Sequence, residues 1–330
     1  MKRRTFVHKS LSILGLTSVS AMLSSTALAA DNYPTHPITV VVPHAPGGAV
    51  DGVARLFADK LKDELGQTVV VENRPGASGT IGAGHVARQA PDGYTLYINA
   101  SIHNINPLFF AKDMNFDAVK DFTAVSLLAQ GALIFGVNNK IAANNVKEFI
   151  AEIDANPKRY SFVTSGFGSA GHLSIAQFRH DINQPEIPIA LYKGAGPALQ
   201  DLVGGQVSAM IDPMLSSLPH VKAGNLKALA VTGNKRSPLL PNVPTLKEQG
   251  VDFEMYSWYG LWAPANLPAP VLKKLEATAK KIVELPEFRD RLTSLGFESA
   301  YKNSADFTKF IDVEVKRYAE IIEAANIKVE

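Results

Sequence analysis

Two short glycine-rich segments, at residues 43–48 and 165–169, combine residue types that suit an anion-binding site. The first reads Pro-His-Ala-Pro-Gly-Gly and the second Ser-Gly-Phe-Gly-Ser. Each follows a strand-forming run, at 38–42 and 160–164, and each precedes a stretch with helical spacing. A helix N-terminus offers free backbone N–H groups and a partial positive charge, so both segments predict an anion-binding loop. The pattern also fits a plain strand-to-helix connection in which glycine serves only a tight turn.

The two segments and the neighbouring strand ends supply the candidate ligand contacts. The candidate ligand-binding residues are His44, Ala45, Gly47, Gly48, Ser101, Thr164, Ser165, Gly166, Phe167, Gly168, Ser169, His172 and Asp212. Asp212 ends a strand at 207–211, and there it either faces an amine or hydroxyl group of the ligand or orients the loop at Lys193. A β-branched side chain at Gly48 is expected to crowd the anion and to exclude the positive φ expected at that residue.

These residues favour a particular class of ligand. Backbone and hydroxyl donors suit a carboxylate better than a sugar or a cation. His44 and Phe167 add a ring and an apolar face, whereas the three charges of citrate require more cationic partners. The sequence therefore predicts a mono- or dicarboxylate with an apolar or aromatic body.

Other chemistry has little support in the sequence. The chain has no cysteine, and its scattered histidines do not have metal-ligand spacing, so no metal site is predicted. The run 82–87 resembles a dinucleotide fingerprint but does not directly follow a strand, so no cofactor is predicted. The spacing G-x-S-x-G is absent around Ser169, which argues against a catalytic serine. An alternative is a hydrolase or isomerase in which His44 or His172 works with Asp51 or Asp212.

The remaining pattern predicts the elements that position these residues. Further strands are expected at 69–71, 94–98, 187–191 and 226–232, alternating with helices, and C-terminal helices at 269–284, 286–295 and 304–325. Such alternation is typical of a doubly wound α/β sheet, which binds ligands beyond the carboxyl ends of its strands. Apolar runs at 123–137 and 256–264 are suited to cross between two lobes. About 300 mature residues exceed one core, so two lobes are expected, at 30–128 plus 257–330 and at 129–256.

Residues 1–29 have the features of a cleavable signal peptide. A basic head precedes a short apolar core, and Ala27-Leu28-Ala29 fits a cleavage site. Arg3-Arg4 also resembles a twin-arginine export signal, and the export route stays open. Removal of the four basic residues of this segment leaves 29 Lys and Arg against 31 Asp and Glu, so the formal net charge changes from +2 to −2. The sequence therefore predicts a soluble periplasmic protein that does not bind nucleic acid.

A series of motifs in one order resembles a known family. They are VPHAPGGAVD, VENRPGASGTIGA, PDGYTL, NINP, KDF, YKGAGPALQDLVGGQV, LKALAVTGNKRSPLLPNVPT and WYGLWAP, and they extend from Tyr33 to about Ile327. This series is similar to that of the Bug receptors, the periplasmic solute receptors of tripartite tricarboxylate transporters. His44-Ala45 and Phe167 depart from residues frequent in the family, so the resemblance does not identify the ligand.

The resemblance implies a fold, partners and a mechanism. It implies a two-lobed periplasmic-binding-protein fold, in which each lobe is a doubly wound, mostly parallel sheet and the ligand lies in the interlobe cleft. It also implies an organic carboxylate as ligand, membrane permease subunits as partners and no catalysis. The expected protein is a monomer that closes on its ligand because the ligand contacts both lobes only in the closed state. Signalling to a membrane sensor kinase is the alternative to transport.

Overall fold

The computed structural model describes residues 32–328. The predicted signal peptide and its cleavage site lie outside the described residues. Within the described part of the chain, no helix is long and apolar enough to cross a membrane.

The described residues alternate between strands and helices, as the sequence predicts. The strands are β1 Ile38–Val42, β2 Val69–Asn73, β3 Thr95–Ala100, β4 Phe122–Asn138, β5 Phe162–Thr164, β6 Ile189–Leu191, β7 Ala209–Pro213, β8 Leu226–Val231, β9 Tyr256–Pro264 and β10 Glu298–Lys302. The helices are α1 Ala49–Leu65, α2 Thr80–Ala87, α3 Ile102–Phe110, α4 Val146–Ala155, α5 Ala170–Asp181, α6 Ala195–Gly204, α7 Met214–Lys222, α8 Ala269–Glu284, α9 Pro286–Ser294 and α10 Ser304–Ala324.

The strands form two half-sheets that share the long strand β4. The first half-sheet has the order β2-β1-β3-β9-β4-β10, and the second has the order β8-β4-β7-β5-β6. Residues 122–132 of β4 pair with β9, whereas residues 133–138 pair with β7 and β8. The partners of β4 therefore change within one strand, after Ala132.

The structure has the expected α/β architecture, but its strands are mixed in direction. The pairs β1–β2, β1–β3, β5–β6 and β5–β7 are parallel. Every pairing of β4 or β9 is antiparallel. The expectation of mostly parallel sheets therefore holds only for the outer strands. The chain leaves the first half-sheet along β4 and returns to it along β9, so these two paired strands run antiparallel to each other.

Helices cover both faces of each half-sheet, which gives separate cores. In the first half-sheet, α1, α8 and α9 bury Phe57, Leu275 and Phe288 on one face, while α10 buries Phe307 on the other. In the second, α4 and α5 cover a core around Phe135. The last helix, α10, belongs to both: Phe307 packs with the first half-sheet, but Tyr318 and Ile321 belong to the core of the second.

Candidate functional site

The loop between β1 and α1, which we call loop 1 (residues 43–48), holds its shape through one glycine. Gly47 has φ +84°, a left-handed conformation that side-chain-bearing residues rarely adopt. Gly48, the N-cap of α1, has an ordinary extended conformation at φ −80° and ψ 173°. A Cβ atom on Gly48 would lie 3.7 Å from the nearest atom, the Ala45 carbonyl oxygen. The expectation of a positive φ at Gly48 is therefore wrong, because the left-handed turn occurs one residue earlier.

Asp51 in the first turn of α1 anchors loop 1. Its carboxylate accepts hydrogen bonds from the Gly47 N–H (2.9 Å), Arg55 Nε (2.9 Å) and Asn73 Nδ2 (2.8 Å). Asn73 Nδ2 also donates to the His44 carbonyl oxygen at 3.0 Å. Burial raises the pKa of Asp51, but these three donors outweigh burial and lower its pKa overall. Asp51 is therefore a positioning residue, and it uses the Gly47 N–H that the sequence assigned to the ligand.

His44 lies half-buried in loop 1 and is held by Asn99. His44 Nε2 is 2.9 Å from Asn99 Oδ1, which also accepts from the Ala100 N–H. The Asn99 amide nitrogen donates to Tyr97 Oη at 2.7 Å, which fixes the oxygen of Asn99 as the acceptor. His44 Nε2 is therefore the protonated nitrogen of the neutral ring. Burial lowers the pKa of His44, so the ring is neutral at pH 7, with Nδ1 as an acceptor.

The loop between β5 and α5, loop 2 (residues 165–169), is built by local hydrogen bonds. Ser169 is the N-cap of α5, and its Oγ accepts from the His172 N–H at 3.1 Å. Thr164 is fully buried, and its Oγ1 donates to the Gly166 carbonyl oxygen at 3.3 Å. Gly168 has φ +73°, the left-handed turn that leads into the helix. Thr164 therefore stabilises the conformation of loop 2. The first N–H groups of α5 lack intrahelical partners, as at the start of every helix.

His172 in the first turn of α5 is a neutral hydrogen-bond donor. The Gly168 N–H donates to His172 Nδ1 at 3.2 Å, so Nδ1 carries no proton and Nε2 does. Burial, with a smaller effect from the charge of Arg179, lowers the pKa of His172 to about 4. The two loops thus carry histidines of opposite polarity, because His44 presents an acceptor and His172 a donor.

Asp212 near the end of β7 is buried and binds two serines. Ser165 Oγ donates to Asp212 Oδ1 at 2.8 Å, and Ser216 in the first turn of α7 donates to Oδ2. Burial raises the pKa of Asp212 to about 6, although both hydroxyl groups favour its ionised form. Asp212 therefore joins loop 2 to α7, and the Ser165 carbonyl oxygen in turn accepts from the Gly194 N–H at 2.9 Å, in the loop that carries Lys193. In this arrangement the Ser165 hydroxyl proton points to Asp212.

Ser101 directly follows β3 and lies beside the strand β9. Its N–H donates to the Trp258 carbonyl oxygen at 3.0 Å, and its side chain is buried. His103, two residues later, is a core residue that packs edge-on or tilted against aromatic rings including Tyr97 and Trp262. The end of β3 therefore supports α3, and the structure gives Ser101 no exposed surface toward the two loops.

Contacts between the half-sheets bring both loops to one boundary. A Cβ atom on Gly52, in the first turn of α1, would lie 3.1 Å from Leu215 in the first turn of α7. The ring of Phe167 in loop 2 lies 4.8 Å from that of Phe109 and 5.6 Å from that of Phe110, both on α3 of the first half-sheet. The sequence did not single out Gly52, Leu215 or α3, since residues in contact across a boundary share no local pattern.

A separate cavity of about 400 Å³ lies where β4 and β9 cross, and it contains none of the predicted site residues. Its basic residues are neutralised, because Lys235 Nζ is 3.1 Å from Glu298 and Arg236 Nε is 3.0 Å from Glu248. Both cationic side chains of this cavity are therefore already paired with carboxylates.

The arrangement gives no support to acid–base catalysis by histidine and aspartate. Among the described residues, His44 hydrogen-bonds an amide and His172 a backbone N–H, while Asp51 and Asp212 bind other groups. The described residues also include no group of three or more His, Cys, Asp or Glu that could hold a metal ion.

Comparison with known proteins connects this geometry to a family. The family model for the tripartite tricarboxylate transporter family receptor matches residues 53–327. The protein BugT of Bordetella pertussis is 32% identical over 324 residues, which cover 97% of this chain and 98% of BugT.

Solved structures of periplasmic binding proteins are also similar to the chain. Rpa4515 of R. palustris, solved with adipate, is 34% identical with a TM-score of 0.85 and covers 90% of this chain and 99% of its own. BugD is 33% identical with a TM-score of 0.83, over 90% of this chain and 100% of its own. MatC of Rhodopseudomonas palustris, solved with malate, is 31% identical with a TM-score of 0.79, and the match covers 88% of this chain and 100% of MatC. The chain therefore belongs to the tripartite tricarboxylate transporter family of receptors, which includes the Bug periplasmic binding proteins.

Proposed function

We propose that this receptor captures a small organic mono- or dicarboxylate with an apolar or aromatic body between its two lobes. The observation that carries the proposal is that helix N-termini from opposite half-sheets, those of α1 and α5, reach one boundary. Each offers backbone N–H groups to an anion. Adipate and malate in the two solved relatives support a carboxylate as the class of ligand.

The proposed mechanism is closure of two lobes, 30–128 plus 257–330 and 129–256. The change of partners along β4 after Ala132 supports this division. A ligand that contacts loop 1 and loop 2 at once binds the closed state better than the open state, so it shifts the population toward closure. The helix α10 packs on both half-sheets and is the element that must bend or slide during this movement.

The ligand class is tested by thermal shift with adipate, malate, citrate, benzoate, aspartate and glucose. A true ligand at ~100 times its Kd adds ~2.7 kcal/mol to the free energy of unfolding. Small-angle scattering with the same ligand should show a smaller radius of gyration. Stabilisation by glucose alone would overturn the carboxylate proposal, and stabilisation by citrate alone would overturn the narrower class. Recovery of the acid unchanged after incubation distinguishes a receptor from an enzyme.

In the cell, the proposed receptor is a periplasmic monomer that delivers its ligand to membrane permease subunits. Cleavage after Ala29 or Ala30 is expected, and N-terminal sequencing of periplasmic protein that begins at Met1 would contradict export by cleavage. Growth on the identified acid after deletion of the permease genes distinguishes transport from signalling to a sensor kinase.

A further inference from the structure

Three phenylalanine rings meet at the boundary between the half-sheets, two from α3 and one from loop 2. We infer that Phe109, Phe110 and Phe167 form an aromatic wall that receives the apolar body of the ligand and determines which acids the site accepts. This inference rests on the proposed function, and it assigns a selective role to α3, a helix outside both loops.

The wall is a defined arrangement of rings. Phe167 meets Phe109 at 68° with a centroid distance of 4.8 Å, and it meets Phe110 at 60° and 5.6 Å. On its other side, Phe167 lies 4.7 Å from the ring of His172. These distances lie within the range of favourable aromatic pairs, which prefer edge-to-face arrangements. The rings therefore act as a unit that joins loop 2 to α3, a helix that follows β3 of the first half-sheet and packs Phe109 against the core of the second.

The backbone of loop 2 holds Phe167 in this position. A Cβ atom on Gly168 would lie 3.6 Å from the Phe109 ring and 3.7 Å from Ile105, so the loop lies directly against α3. The Gly168 N–H is fixed by His172, and Ser169 caps α5 on the next residue. The Gly166 carbonyl oxygen on the other side accepts from Thr164 Oγ1, so Phe167 is a pre-positioned residue between two fixed neighbours, Gly166 and Gly168.

The placement of the wall argues for contact with a ligand. Phe109, Phe110 and Phe167 are each half-buried, so the core does not enclose them completely. Phe167 belongs to the same loop that leads into the α5 N-terminus. A carboxylate that binds the N–H groups of α5 thus places the neighbouring atoms of its ligand beside these rings.

The chemistry of the wall selects against a charge at that position. Aromatic faces offer no donor to a carboxylate, and burial of an unpaired charge is strongly unfavourable. Methylene groups or an aromatic ring lose no hydrogen bond there. The site should therefore prefer acids with carboxylates at the ends and an apolar body, such as adipate or benzoate, over citrate, which has a carboxylate and a hydroxyl on its central carbon.

The first experiment measures the affinities of adipate, benzoate and citrate by calorimetry for the wild type, Phe167→Ala and Phe167→Leu. We expect the wild type to prefer adipate or benzoate to citrate. Phe167→Ala should lower the affinity for the preferred acid about tenfold and the affinity for citrate less, since aromatic contacts of this kind contribute about a tenfold change in affinity. Phe167→Leu should recover part of the loss. Leu108→Ala is the control, because Leu108 lies on the same helix and its side chain is 36% exposed.

A second experiment tests whether the two half-sheets contribute to one wall. Phe110→Ala alone should also lower the affinity for adipate or benzoate. The double variant with Phe110→Ala and Phe167→Ala should lose less affinity than the product of the two single fold-changes. Circular dichroism and the urea midpoint check that every variant is folded. The inference about the aromatic wall is wrong if the wild type binds acids but prefers citrate, or if the ring variants leave the ratio of the adipate or benzoate affinity to the citrate affinity unchanged. Either result leaves the proposed receptor function intact. If no acid binds the wild type, the proposed function itself is overturned.

Discussion

Asp212 offers the sharpest test of the site because its carboxylate is buried and, among residues 32–328, forms no salt bridge. Its side chain is 1% exposed, and its hydrogen-bond donors are the hydroxyl groups of Ser165 and Ser216. Burial raises its pKa from 3.8 to about 6. The perturbation we consider is Asp212→Asn, which keeps the shape of the side chain and removes the titrating group.

The sign of the effect follows from where the proton is bound. Between pH 4 and pH 6 the folded protein holds a proton on Asp212 that the unfolded chain has released. The contribution of Asp212 to the free energy of unfolding is therefore fully present below pH 3.8 and is lost as pH rises through about 6. A shift of about two pH units corresponds to ~3 kcal/mol. Relative to the wild type, Asp212→Asn should thus gain ~3 kcal/mol between pH 4 and pH 7.

The assay is urea unfolding of both proteins at half-unit intervals from pH 4 to pH 7.5, compared as differences so that other titrating groups cancel. His172→Gln is the matched variant with the opposite sign. Because burial lowers the pKa of His172 to about 4, its contribution to stability is present above 6.5 and is lost as pH falls toward 4. The difference curve of His172→Gln should therefore fall as pH rises. A flat difference curve for Asp212→Asn would show that burial does not raise the pKa of Asp212.

The other predictions concern the loops and the crossing strands. Gly47→Ala should destabilise loop 1 by ~1–2 kcal/mol and weaken ligand binding five- to thirtyfold, because the left-handed conformation of Gly47 disfavours a Cβ atom. Gly48→Ala should preserve the fold, because Gly48 has an extended conformation. Equal ligand affinities of the two variants in calorimetry would contradict this prediction. Asn73→Ala should lower the affinity for the ligand, because it frees loop 1 from its anchor. The relative change in the urea midpoint should be smaller than the relative change in affinity. Tyr318→Phe should lower the free energy of unfolding by ~1–3 kcal/mol, because it leaves the buried Trp258 indole N–H, now 2.9 Å from Tyr318 Oη, without a partner; an unchanged urea midpoint would contradict this.

Much of the fold could be predicted because local sequence patterns determine where its helices and strands lie. The C-terminal helices begin at the predicted residues and end within one residue of the predicted ends. Prediction failed where one residue type overrides the pattern. The strand expected at 187–191 begins only at Ile189, since Pro188 has no N–H to donate to a sheet. The mixed strand directions also escaped prediction, because hydrophobic spacing indicates burial but not the direction of a neighbour.

The candidate site was predictable only in part, for the same physical reason. The positions of loop 1 and loop 2 follow from strand, glycine and helix signals that lie within about fifteen residues of sequence. The donors inside each loop depend on groups from elsewhere in the chain. Nothing near Gly47 indicates that Asn73 helps to hold the Asp51 carboxylate, so the sequence assigned the Gly47 N–H to a ligand.

The selectivity of such a receptor depends most on the contacts that sequence patterns describe least. A helix N-terminus binds any anion of suitable size, because its donors are backbone groups that every residue carries. Discrimination between acids must therefore come from side chains placed beside those donors. We propose that these side chains are the neutral His44 and His172 and the ring of Phe167. His44 is held by Asn99, His172 accepts from the Gly168 N–H, and Phe167 packs against Phe109. Relatives that share both loops can consequently bind different acids, and the residues that set the difference are found by their contacts.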